Sequence, residues 1–257
     1  MQVSPRLRFA INAVRKAGQS TLEHFQSGVA VEFKSDDSPV TVADKNAEAI
    51  LRAEINSHFP GETILGEEQG LTGSGNTRWI IDPIDGTKSF ICGVPLYATL
   101  LSYEVDGVPI LGVSYFPALD EMVYAEQGSG CFMNDQRVSV TNRNTVRGGF
   151  LSSGGPNSMV KYGRWKGFEE MSALAVATRT WSDAYGHCLV ATGRVDAMID
   201  PVVSRWDLSA IKIIVEEAGG KFTDFKGNNP FDKGDFGLEA ISSNGLIHNE
   251  ILKVYQA

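Results

Sequence analysis

Carboxylates recur in three separated segments of this chain, and their neighbours set what they can do. The apolar run Trp79-Ile80-Ile81 delivers Asp82 and, three positions later, Asp85 into a turn shaped by Pro83, Gly86 and Thr87. Gly66-Glu67-Glu68 follows a strand-like run ending at Leu65, and Asp207 follows Trp206 where a helical pattern begins. Magnesium takes oxygens in a near-octahedral shell and keeps water or phosphate in several positions, so carboxylates from separate elements must converge on it. Pro83 fixes the turn, so the Ile84 carbonyl can join them. A turn that opens a helix also offers backbone amides to a phosphate. Hard cations acting on a phosphate ester are the chemistry this pattern suits.

Each feature also has a plainer reading. Asp207 stands where acids cap helices and offset their dipole. Glu67 and Glu68 alone would read as a solvated loop. Asp82, followed by Pro, Asp and Gly, could belong to an ordinary turn.

The elements that must position these groups are legible in outline. Ser4 and Pro5 predict an N-cap and first helical position, with Leu7, Ile11, Val14, Ala17, Leu22 and Phe25 in helical period until Ser27-Gly28. Residues 33–40 read as a polar loop, after which Thr41 and Asp44 open a second helix as a capping box, with Ala47, Ile50, Leu51 and Ile55 inward. A short strand at 63–65, a Gly/Ser/Thr loop at 70–76 and the strand 79–81 follow. Runs at 97–103, 110–115 and 122–125, separated by turn signals, predict an antiparallel sheet. The second half alternates helix and strand patterns: 184–191, 195–199, 206–218 with Ser204 as N-cap, 221–223, 240–242 and 246–255. The polar, turn-rich stretch 140–149 marks a boundary between an N-terminal α+β half with the metal site (1–145) and a C-terminal α/β half completing it (146–257), the two forming one compact unit.

Composition narrows the function classes. The 257 residues are 42% hydrophobic, without an apolar run of the ~18 residues a membrane span needs, so a soluble chain with a substantial core and no membrane partner is expected. Arg6, Arg8 and Arg15 interrupt the first residues and no apolar signal core precedes a cleavage pattern, so export is not expected. The three cysteines, Cys92, Cys131 and Cys188, are far apart and lack metal or disulfide spacing, which fits a reducing cytoplasm. A net charge of -8 without a Lys/Arg cluster argues against nucleic acid as a partner.

Asp82-Pro83-Ile84-Asp85-Gly86-Thr87-Lys88-Ser89-Phe90, Gly66-Glu67-Glu68 and the stretch Trp206-Asp207 to Gly219-Gly220 resemble the signature motifs of the inositol monophosphatase superfamily, in order and spacing over nearly the whole chain. The resemblance implies an α+β fold, an αβαβα layered sandwich, with two or three Mg2+ ions per subunit and a homodimer. It implies Glu67, Asp82, the Ile84 carbonyl, Asp85 and Asp207 as metal ligands, Glu67 being shared and Asp82 bridging. Asp44, Glu67 and Thr87 become catalytic, with Thr87 and Asp44 handling the attacking water. The amides of Gly86 and Thr87, with Asp207, bind substrate. Residues 34–39 resemble a segment that closes over the site in relatives, or are a surface loop.

Within the superfamily, residues 88–100 and Ser182-Asp183-Ala184-Tyr185 are more similar to the histidinol-phosphate phosphatases than to the inositol enzymes, which tend to have Asn where Ser89 stands. A small phosphorylated substrate, histidinol phosphate, is therefore expected, hydrolysed by metal-activated water. Inositol phosphate or another small phosphate monoester of the superfamily's range, or a regulatory binding role on the same fold, is the alternative. Extra carboxylates would select a cationic substrate over a neutral polyol, and Asp183 and Asp200 are the candidates. Asp183 could instead only start a helix. His187 lines the pocket or is a packing histidine, Arg205 reads as a surface or interface residue, and Trp79, Trp181 and Trp206 as packing beneath the site.

Overall fold

The computed structural model describes residues 3–34 and 38–256. Helix α1 (Pro5–Thr21) starts as predicted, with the Ser4 hydroxyl accepting from the Leu7 amide at 3.0 Å. It ends earlier than Ser27: beyond Thr21 the amides of Leu22 and His24 reach back three residues, to Gln19 and Thr21, and Leu22 turns to solvent. The segment 33–40, expected as a loop, gives its ends to an antiparallel pair, β1 (Val31–Phe33) and β2 (Pro39–Thr41). Thr41 and Asp44 then form the expected capping box of α2 (Val42–His58).

An eight-stranded sheet follows, built from β3 (Thr63–Gly66), β4 (Gly70–Thr72), β5 (Thr77–Asp85) and, after the short helix α3 (Thr87–Ile91), β6 (Ala98–Val105), β7 (Val108–Phe116), β8 (Glu121–Glu126), β9 (Gly130–Met133) and β10 (Gln136–Val138). Its order is β10-β9-β8-β7-β6-β5-β3-β4, antiparallel except where β3 runs parallel to β5. The start of the expected loop at 70–76 is thus an edge strand. The rest of the chain supplies β11 (Phe150–Ser153), α4 (Pro156–Lys161), α5 (Trp165–Ser172), β12 (Ala177–Arg179), α6 (Asp183–Ala191), β13 (Ala197–Val203), α7 (Arg205–Glu217), β14 (Lys221–Thr223), β15 (Leu238–Ser243) and α8 (His248–Gln256). Its five strands are ordered β12-β11-β13-β15-β14.

Strand alternation sorts the core into layers. Trp79, Ile81, Leu101, Leu111 and Val113 pack with Leu7, Ala10, Val14, Ala47 and Leu51, which places α1 and α2 on one face of the large sheet. Leu100, Val123 and Ala125 on the opposite face pack with Leu208, Ile211 and Ile214 of α7 and with Ala184 and Cys188 of α6, and the same cluster reaches Phe222, Leu238 and Ala240 of the small sheet. Leu151, Ala197, Ile199 and Ile241 turn the other way, onto Met159, Phe168, Met171 and Ile251 of α4, α5 and α8. The result is the expected α+β, αβαβα sandwich. Helix α7 lies hard against the large sheet: a Cβ on Gly112 of β7 would run into the Ala210 carbonyl oxygen. The irregular stretch 139–149 joins the sheets and is itself tied down, the Val140 amide donating to the Ala218 carbonyl at 3.1 Å.

Candidate active site

The end of β5 is shaped to turn its carboxylates out of the ladder. Pairing with β6 shifts register between Asp82 and Asp85, around Pro83, which has no N–H to give. The Pro83 carbonyl instead accepts from the Thr99 hydroxyl at 2.8 Å. Parallel β3 ends beside Ile81, whose carbonyl accepts from the Glu67 amide at 3.2 Å, so Glu67 leaves its strand next to Asp82. Gly86 sits at φ 79° before α3, where a Cβ would also meet an Asp183 carboxylate oxygen at 3.0 Å.

Helix α7 contributes the third segment. Asp207 accepts from the Ser204 amide at 2.6 Å in a capping box, so the plainer reading of this residue is met. The same carboxylate also offers an atom within 4.8 Å of ligand atoms from Asp82 and Asp85. These residues line a cavity of about 480 Å³ together with Glu67, Thr87, Asp183 and Asp200.

The electrostatics of this cluster are those of a site waiting for positive charge. Asp82 is 1% exposed and its Oδ1 has no hydrogen-bond partner. Burial, then the charges of Glu67, Asp85 and Asp207, push its carboxyl well above the usual range. Burial, followed by Asp183 and Asp207, does the same to Asp85, even though its Oδ2 accepts from the Ala184 amide at 2.7 Å. Glu67 is pushed up to about 7, chiefly by burial and then by Asp207, and Asp207 to about 6, chiefly by burial. An orphaned buried oxygen beside converging carboxylates that raise one another fits a hard divalent cation. Thr87 Oγ1 stands 3.3 Å from Asp44 Oδ1 and 3.0 Å from the Ile84 carbonyl oxygen, so the structure brings the expected Thr87 and Asp44 pair together. Asp44 is fully buried, which raises its pKa.

With this geometry in place, comparison with known proteins is direct. The model of the inositol monophosphatase family matches residues 2–256. This chain belongs to the inositol monophosphatase family. It is 41% identical over 260 residues to the histidinol-phosphatase of Chlorobaculum parvum, covering 97% of this chain and 96% of the relative. It is 39% identical over 251 residues to the fructose-1,6-bisphosphatase/inositol-1-monophosphatase of Thermotoga maritima, covering 97% and 95%. Among solved structures, the extragenic suppressor protein suhB of Bartonella henselae superposes with a TM-score of 0.90 at 28% identity, covering 98% of this chain and 99% of that one.

The same pocket carries Asp183 and Asp200, whose charges reach the cluster and help to raise the pKa of Asp85. Asp183 both starts α6 and lines the cavity, and it does so at φ 60°, a left-handed conformation costly for a residue with a Cβ. Asp200 sits at the bulge where β13 shifts register against β15, and burial, then Asp183 and Asp207, raises its pKa well above the usual range. Of residues 34–39, 35–37 lie outside the described residues, while Ser38 and Pro39 line the cavity.

Several residues were missed or misread from sequence. Lys34 Nζ lies 2.7 Å from a carboxylate oxygen of both Glu67 and Glu68, a pairing across more than thirty residues that no local pattern announces. Buried Glu48 accepts from the amides of Glu68 and Gln69 at 2.7 and 3.1 Å and so fixes the turn carrying Glu67. Its signal was present: Glu48 and Arg52 stand four apart on the inward side of α2 and pair at 2.7 Å. Arg205 is buried rather than at the surface, because Glu104 and Asp235 surround its guanidinium. Trp79 packs as expected, but Trp181 is 36% exposed, and Trp206 lines the cavity edge-on to Phe236.

Proposed function

We propose that this protein is a magnesium-dependent phosphomonoesterase that hydrolyses histidinol phosphate to histidinol and phosphate. The observation that carries the reading is the second pair of carboxylates, half-buried Asp183 and buried Asp200, in the cavity that also holds Glu67, Asp82, Asp85 and Asp207. The second pair exceeds what a cation site needs and suits an organic half that is itself cationic, as the ammonium of histidinol is. Identity of 41% to a histidinol-phosphatase supports the same reading.

Glu67, Asp82, Asp85, Asp207 and the Ile84 carbonyl would hold magnesium. Bound there, the ion supplies Lewis-acid stabilisation of phosphoryl charge and acidifies water. The protein's own part is positional. Gly86 and Thr87 line the cavity and offer amides to the phosphate. The Thr87 hydroxyl orients the attacking water, and Asp44, whose burial makes it more basic than an ordinary carboxylate, receives the proton that Thr87 relays. Glu67 shares in holding the water, and no side-chain nucleophile takes part.

The test is phosphate release by the purified protein with magnesium, comparing kcat/KM for histidinol phosphate and inositol 1-phosphate. A preference of about a hundredfold for histidinol phosphate, roughly 2.7 kcal/mol of differential transition-state binding, is expected. The reverse preference makes the protein an inositol monophosphatase. Assembly as a homodimer belongs to the same proposal, and a light-scattering mass of one subunit would remove it.

A further inference from the structure

His187 lies on α6, one turn beyond Asp183, and lines the same cavity. It is 1% exposed, and its ring is fixed from two directions. Nδ1 is 2.7 Å from the Ser242 hydroxyl, and the ring centroid is 5.5 Å from that of Phe222. Its remaining nitrogen, Nε2, is buried without a hydrogen-bond partner. A packing histidine would be expected to satisfy both nitrogens, because an unmade buried hydrogen bond costs about 1–3 kcal/mol. Burial lowers the pKa to about 3, so the ring is neutral in use. A neutral imidazole carries one proton, and in the tautomer that has it on Nε2 the Ser242 hydroxyl donates to Nδ1.

We infer that His187 is a specificity-determining residue whose Nε2–H donates a hydrogen bond to an acceptor on the organic half of the substrate, which in histidinol phosphate is the unprotonated imidazole nitrogen. The identity of that acceptor rests on the histidinol phosphate reading, while the role of His187 does not. The arrangement divides recognition between two kinds of group. Asp183 and Asp200 attract positive charge, and His187 reads a neutral lone pair that a carboxylate would repel. A substrate lacking the acceptor leaves Nε2 unpaired, so discrimination comes as much from rejecting wrong ligands as from binding the right one.

The experiment uses the full-length protein with magnesium, labelled with 15N-histidine, and the variant His187→Phe to assign the ring signals among the four histidines. Histidinol is expected to move the His187 Nε2 resonance, and inorganic phosphate alone to leave it in place. In turnover, His187→Phe is expected to lower the ratio of kcat/KM for histidinol phosphate to that for p-nitrophenyl phosphate by about tenfold or more, mainly through KM, with His187→Gln recovering part of the loss. Movement of the resonance by inositol and not by histidinol would overturn the histidinol phosphate reading and keep His187 in its role. A resonance that answers to neither, while wild-type kcat/KM still favours histidinol phosphate, overturns the role of His187 alone. So does an equal loss on both substrates in the variant. If His187→Phe does not fold, the wild-type titration with His187→Gln as the assignment control decides the matter.

Discussion

Two regions of this molecule bury carboxylates to a similar depth and treat them in opposite ways. At the base of α7, Glu104 accepts from Arg205 Nε at 2.9 and 3.1 Å, from Arg78 Nε at 2.9 Å and from the Ser209 hydroxyl at 2.7 Å, while Asp235 takes the outer edges of both guanidinium groups. Two acids meet two bases. A few residues along the same helix, Asp207 joins Asp82 and Asp85; among the described residues no basic side chain pairs with any of the three, Lys34 reaching only Glu67 and Glu68, and Asp82 keeps an orphaned oxygen. Burial therefore does not distinguish structural from functional acids here. What distinguishes them is whether the fold itself supplies the compensating charge. Where it does, the group locks β5, β6 and α7 together; where it does not, the fold has left a place for a cation from outside.

The sharpest way to break this contrast is to remove one acid from each region. Asp82→Asn should lower kcat/KM by about a thousandfold while the melting temperature of the magnesium-free protein stays level or rises, since a repulsive charge is gone. Near wild-type turnover in Asp82→Asn would refute the metal assignment. Glu104→Gln should do the reverse. It leaves buried Arg205 and half-buried Arg78 with Asp235 as their remaining acid, costing about 3 kcal/mol, or roughly 10 °C in melting temperature, with turnover at low temperature falling less than about tenfold. A thermal scan showing no loss would mean that Arg205 and Arg78 find other partners.

The next effect is one of pH. Glu67 at about 7 and Asp207 at about 6 lie above the values near 4 of unfolded carboxylates. The folded state thus binds more protons than the unfolded one in this interval, and the stabilisation this gives is present at low pH and lost as pH rises through 6 to 7. Without magnesium, the melting temperature should fall between pH 5.5 and 7.5, and saturating magnesium should flatten that slope. An identical slope with and without the ion would show that these acids do not hold it. Arg205→Lys should show the smallest effect, about 1–2 kcal/mol, because a lysine keeps the charge and loses the fork that spans Glu104 and Asp235. Equal destabilisation by Arg205→Lys and Glu104→Gln would mean that geometry, not charge balance, dominates the network.

The same contrast explains what could be read in the sequence. Asp82, Asp85 and Thr87 were legible because an apolar strand, a proline and a glycine encode their turn locally. Ser4, Thr41 and Ser204 were legible as caps for the same reason. Arg205 was misread because the partners that bury it, Glu104 and Asp235, are 101 and 30 residues away and belong to separate elements. The Lys34 contact with Glu67 is hidden on the same ground, and α1 ends before its sequence pattern does because Leu22 and Phe25 keep the helical period where the bonding has become mostly of the three-residue kind. Hydrophobic period reports which residues face inward; it does not report which charges meet once the layers close.

Helix α7 also has a use as a reporter. Cutting the chain in the irregular stretch between β10 and β11 would leave Glu67, Asp82 and Asp85 on one fragment, and Asp183, Asp200 and Asp207 on the other. Neither fragment alone carries the acids for a complete ligand set, and α7 would have lost the sheet it lies against. Two silent pieces fused to proteins that associate would be brought close enough to rebuild the helix–sheet seam, and each event would be amplified by turnover. The sandwich would in that sense serve as a complementation sensor, its signal being the phosphate release proposed above.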